Sequence, residues 1–198
     1  MDWGALVVIM MSAVLVNNYV LRQFLGVCPF LGVSKDLKSS VGMGLAVLFV
    51  MVMAASATWP IQIFLLNTSG LEFMQTVVFI LVIATLVQLV EIILKRYIPA
   101  LFASLGVYLP LMTTNCAVLA VTISNINKGY TFIEAVVSAI GAGLGFLLAM
   151  VIFTGIRGHV EAADPPEAFK GVPLTLISAA ILSLAFFGFE GVIENMFK

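Results

Sequence analysis

Long, continuous apolar runs set the terms on which this chain can fold. Six segments, roughly residues 4–33, 41–66, 71–94, 98–125, 132–156 and 172–196, each exceed the about 20 apolar residues that cross a bilayer. An ordinary soluble domain is nearer half apolar and a quarter charged. Here 62% of residues are hydrophobic and 10% charged, with a mean hydropathy of +1.18. The runs are unbroken rather than alternating, which selects helices over a transmembrane barrel. The expectation is an all-α, polytopic membrane protein forming one domain over residues 1–198.

The same composition excludes several classes of function. A net charge of −1 offers no basic surface for nucleic acid. One histidine and two cysteines make neither a zinc-type ligand cluster nor a disulfide framework. Asp2 precedes the first run and no Lys or Arg occurs before Arg22, so a cleavable signal peptide is not expected. Connections between spans are short. The longest polar stretch, Arg157 to Lys170, contains His159, Glu161, Asp164, Pro165, Pro166 and Glu167 and reads as a surface loop.

Loop charges give the orientation. Lys35, Lys38, Lys95, Arg96, Arg157 and Lys170 fall in alternate connections, whereas the other side carries only Lys128 and Lys198. The basic loops therefore belong in the cytoplasm and both termini outside. Six spans divide into two sets of three, about residues 1–96 and 97–198. An odd number per set inserts the halves upside down relative to each other. The first and fourth spans are overlong and contain Gly, Pro, Asn and Thr, which marks both as broken helices. Non-helical backbone at membrane depth is tolerated only inside protein or against a polar cavity. Matching breaks in inverted halves point to the functional site.

The only two cysteines lie at these breaks. Cys28 sits in Phe24-Leu25-Gly26-Val27-Cys28-Pro29-Phe30-Leu31-Gly32, and Cys116 in Pro110-Leu111-Met112-Thr113-Thr114-Asn115-Cys116-Ala117-Val118. Three readings remain open: buried packing residues, a disulfide, or soft thiolate ligands suited to iron–sulfur clusters. A [2Fe–2S] or [4Fe–4S] cluster normally takes four cysteines. If this chain holds one, the other two thiolates come from another subunit. Free N–H groups at the breaks would then donate to the sulfurs.

Both cysteine motifs, with Val16-Asn17-Asn18-Tyr19-Val20-Leu21 ahead of the first, resemble the A-type subunits of Rnf complexes. The likeness continues through Phe79–Ala84, Val87–Glu91, Ile156-Arg157 and Ser183–Phe189, nearly the whole chain. The E-type subunit of the sodium-pumping NADH:quinone oxidoreductase is a close relative, but Asn17-Asn18 and Cys28-Pro29-Phe30 look more like Rnf. The resemblance implies a membrane complex that couples electron flow between ferredoxin and NAD to Na+ or H+ transport. It implies an intramembrane [2Fe–2S] cluster ligated by Cys28 and Cys116 and by two cysteines of a paralogous six-helix E-type subunit. Flavins and the nicotinamide site would lie in other membrane and peripheral subunits. A small inverted-repeat secondary transporter and a structural scaffold are the competing readings.

Several further residues carry expectations. Asn17, Asn18 and Asn115 support the breaks, by capping half-helices or by donating to the cluster's surroundings. Thr113 and Thr114 bond back to helix carbonyls. Gly26 belongs to the same surroundings. Arg22 either offsets the charge of a thiolate-ligated cluster or pairs with a lipid or partner carboxylate. Glu91 is an ion-path carboxylate or, more simply, an interfacial residue paired with Lys95 one turn on, and Gln88 bridges helices. Glu134 and Glu190 are interfacial. Gly141-Ala142-Gly143-Leu144-Gly145 is a close-packing helix face rather than a nucleotide loop.

Overall fold

A computed structural model describes residues 3–34, 36–67, 72–97, 115–163, 166 and 169–188. The expectations at Thr113, Thr114 and Glu190, and at Lys35, Asp164, Pro165, Glu167 and Lys198, lie outside the described residues. So does the first half of the fourth span.

The described elements are all helical. α1 (Trp3–Met11) runs into a π-helical turn (Ser12–Val16), and α2 spans Val27–Val33. α3 (Leu37–Ile61) also ends in a π-helical turn, Gln62–Leu66. A 3₁₀ turn (Glu72–Met74) leads into α4, Gln75–Tyr97. α5 covers Cys116–Asn127, α6 Phe132–Ala162 and α7 Val172–Phe187. Among the described residues, three stretches are long and apolar enough to cross a membrane: Leu37–Leu66, Gln75–Ile93 and Phe132–Val160.

α6 is the central helix. It packs along α3, with α1 and its π turn, α5 and α7 against other parts of its surface. Met43, Val47, Met51 and Ala54 of α3 meet Ala139, Phe146, Met150 and Phe153 of α6 in one buried cluster. The glycine-rich stretch permits this crowding from two sides. A methyl on Gly141 would lie 2.9 Å from the Met10 carbonyl oxygen, and one on Gly145 3.0 Å from that of Val14. One on Gly143 would lie 2.8 Å from the Leu48 Cα on α3. Small residues thus let α1 and α3 both approach α6 at backbone distance, as the close-packing reading requires.

The polar stretch after residue 156 differs from expectation. α6 does not stop there but continues to Ala162, so Arg157 and His159 are helical rather than in a loop. The helical spacing of Ile152, Phe153, Ile156 and Val160 extends the apolar stripe beyond the first basic residue. At the other end, Thr131 and Glu134 form a reciprocal capping box that fixes where α6 begins. α4 is peripheral, with only 17% of its most apolar window buried, and Val77, Leu81 and Ile92 stand exposed. Outward-facing apolar side chains of this kind belong against lipid or a neighbouring protein.

Candidate functional site

The chain leaves helical geometry after Val16 and resumes it at Val27. The Asn17 N–H reaches back to the Ser12 carbonyl at 2.7 Å, which closes the π turn. Beyond it, one carboxamide adds to two backbone bonds, from the Arg22 N–H to Asn18 O and from the Leu25 N–H to Tyr19 O, both 2.9 Å. Asn18 Nδ2 donates to the Gly145 carbonyl at 2.8 Å and to Val14 O at 3.3 Å. Its Oδ1 accepts from the N–H groups of Val20 at 3.0 Å and Leu21 at 3.3 Å. The side chain is 2% exposed, so these bonds answer the need to pair polar backbone in an apolar interior. The Ser183 hydroxyl donates to the Leu21 carbonyl and ties α7 to the same segment.

Gly26 ends the break. Its φ of +82° is a left-handed conformation that L side chains adopt at a cost. An added methyl would sit 3.0 Å from the Phe146 ring and 3.1 Å from both Ala117 Cβ and Asn115 Oδ1. The N–H of Gly26 donates to the Cys116 Sγ at 2.8 Å. The two cysteine motifs are therefore joined by one hydrogen bond between residues 90 positions apart.

Cys116 is the first residue of α5, and Asn115 is its N-cap. Asn115 is extended, and its Oδ1 accepts from the Ala117 N–H at 3.0 Å. That bond identifies the oxygen and leaves Nδ2 as a donor. Nδ2 is buried and finds no acceptor among the described residues. Cys28 is the second residue of α2 and is exposed, whereas Cys116 is half-buried. Both are free thiols. First-turn N–H groups lack intrahelical acceptors, and the N-terminus carries partial positive charge. Buried Val20, Leu21, Ala117 and Val118 surround the junction with hydrocarbon.

Asn17 and Arg22 lie at the rim. Asn17 Nδ2 donates to Ser12 Oγ at 3.0 Å, and Arg22 Nη1 donates to Asn17 Oδ1 at 2.7 Å. Gln88 is exposed and Glu91 half-buried on α4, and none of the contacts described at the break involves that helix. Among the described residues, no three His, Cys, Asp or Glu side chains converge to hold a metal ion.

One residue escaped the sequence reading. Arg157 is 9% exposed, and its Nη1 donates to the Leu31 carbonyl at 3.0 Å and to Ser34 Oγ at 2.8 Å. Its place on the continuing apolar stripe of α6 was the available signal.

Comparison with known proteins gives consistent relatives. The family model described as "Rnf-Nqr subunit, membrane protein" matches residues 6–193. The A-type subunit of an ion-translocating oxidoreductase complex from Syntrophotalea carbinolica is 51% identical, with 96% of this chain and 98% of the relative covered. That of a Na(+)-translocating ferredoxin:NAD(+) oxidoreductase complex from Acetobacterium woodii is 52% identical over 94% and 97%. The corresponding ion-translocating oxidoreductase subunit from Vibrio parahaemolyticus is 45% identical over 95% and 98%.

Proposed function

This chain belongs to the Rnf-Nqr family of membrane subunits, and from that premise we propose that it is the A-type subunit of an ion-translocating ferredoxin:NAD oxidoreductase complex. Cys28 and Cys116 supply two thiolates to an intramembrane [2Fe–2S] cluster, and a paralogous six-helix E-type subunit supplies the other two. The cluster, when bound, relays single electrons across the membrane interior. Flavins and the nicotinamide site belong to other subunits. The chain acts as a part of this oxidoreductase and not as a catalyst alone.

The observation that carries the reading is the bond from the Gly26 N–H to the Cys116 sulfur. It sets the backbone two residues before Cys28 against the Cys116 sulfur, with Cys28 itself exposed. Packing alone gives no reason for an exposed thiol at a helix break. The donor set also fits. A backbone N–H already meets one sulfur, and the Asn115 amide holds an unused buried donor beside it. Donors of this kind stabilise anionic sulfur and raise a cluster's potential. Asn18 holds the broken backbone, Gly26 admits the close approach, and Val20, Leu21 and Val118 exclude water.

The six-span layout with two inverted halves belongs to the same proposal. It is supported by the break at 17–26 and by the start of α5 at Cys116, each beside a cysteine and each served by an asparagine. Loop charge places both termini outside. The transporter alternative would want charged ligands at the breaks; apart from Arg22 at the rim and the Ser183 hydroxyl, the polar side chains described at this junction are amides and thiols. In the assembled complex, a [2Fe–2S] paramagnetic signal with matching iron and labile sulfide is expected. Cys28→Ala and Cys116→Ala should each abolish it. A full signal in both variants would refute the proposal.

A further inference from the structure

α2 is too short to sustain itself. Helices of fewer than about 12 residues are marginal in isolation, and α2 covers only Val27–Val33. Its geometry must therefore be imposed from outside. At its N-terminal end that constraint is the Gly26 N–H on the Cys116 sulfur. At its C-terminal end, the constraint comes from Arg157 on α6.

Arg157 carries a formal charge on a stretch that is otherwise apolar enough to span a membrane. Burying a guanidinium is costly unless its donors are met. Here Nη1 serves both the Leu31 carbonyl of α2 and the hydroxyl of Ser34, which is 1% exposed. Leu31 O lies in the last turn of α2, where carbonyls lack intrahelical donors and the helix end is partially negative. A cation there satisfies both the hydrogen bond and the dipole. The α6 end is itself anchored, because the Thr154 hydroxyl meets that of Ser40 at 2.8 Å. Arg157 thus connects a fixed helix to a short one that carries Cys28 three residues before the bonded carbonyl.

We propose that Arg157 is a positioning residue for Cys28, a latch that fixes α2 from its C-terminal end and so sets where the thiol stands. The latch is a property of this chain's own contacts. Its consequence for the cluster rests on the function proposed above. Lysine is a poor substitute, because it lacks the planar fork that presents several donors in fixed geometry.

Cys116→Ser leaves Cys28 as the sole thiol, and a nitroxide attached there reports local mobility in the full chain in membranes. Arg157→Gln should sharpen the Cys28 spectrum, and Arg157→Lys should give an intermediate line. Ser34→Ala keeps the charge but removes one acceptor, and should shift the spectrum the same way to a smaller degree. A control label at Leu81→Cys on α4, in a chain with both native cysteines replaced by serine, should not change. An unchanged Cys28 line in Arg157→Gln overturns the proposal. So does equal mobilisation of both labels, which would mean general unfolding. In the assembled complex with both cysteines present, Arg157→Gln should alter the g-values or midpoint potential of the cluster signal. Absence of any cluster signal in the unmodified complex would defeat the proposed function, while the nitroxide result would still decide the latch.

Discussion

Gly26→Ala offers a sharp test of the junction, because Gly129→Ala provides an internal reference. Both glycines have positive φ, +82° and +65°. Placing an L residue in the left-handed region costs about 1–2 kcal/mol at either site. At Gly129 nothing lies within 4 Å of an added methyl, so the cost ends there. At Gly26 the methyl meets Phe146, Ala117 and Asn115 at 3.0 to 3.1 Å. Crowding a packed interior in this way adds about 1–3 kcal/mol, for a total of about 2–5 kcal/mol. Since about 1.4 kcal/mol is a factor of ten, the geometry that joins Gly26 to Cys116 should be disfavoured by roughly 30- to 4,000-fold relative to the unsubstituted chain. The assay is a thermal melt and iron determination on the purified complex. Gly26→Ala should lower the melting temperature clearly more than Gly129→Ala and should lose iron, while Gly129→Ala retains it. Equal melting shifts and equal iron content in the two variants would refute the packing described for this junction.

Two further substitutions separate scaffold from chemistry. Asn18→Leu strands the Val20 and Leu21 N–H groups, each at about 1–3 kcal/mol, and removes the tie to α6; the amount of intact protein in membranes should collapse, and wild-type levels would contradict the stapling role. Asn115→Ser keeps a good helix cap but removes the buried Nδ2 donor; the complex should assemble with its cluster signal at a lower midpoint potential, and an unchanged potential would remove Asn115 from the cluster's surroundings.

Much of the site is legible in residue order. The break around Asn17 and Asn18 shows because asparagine and glycine interrupt an otherwise uniform apolar run. Asn115 shows as a cap because an amide precedes an apolar helical stretch. The glycines of α6 show as a packing face because their spacing is short and their surroundings apolar. The end of α6 does not show in the same way. Charge and proline density from Arg157 onward looks like a loop, yet the apolar period persists to Val160 and helical geometry persists with it. Arg157 therefore resembles a loop charge in the sequence, although burial and two acceptors give it a structural task.

The sequence by itself determined that the chain is helical and apolar enough for a membrane, and that its two thiols stand beside residues that break or cap helices. Those properties follow from local chemistry: hydropathy, periodicity and the few residues that break a helix. Only the tertiary structure decided which atoms meet. The amide of Gly26 reaches the sulfur of Cys116, Asn18 finds the carbonyl of Gly145, and Arg157 reaches back to Leu31. Each of these bonds joins distant segments through a close approach to α6 or α5. In each, one partner is a backbone group that every residue carries, so no side-chain pattern marks it. They come into being only when the helices pack, the first two through close approaches that Gly26 and Gly145 permit.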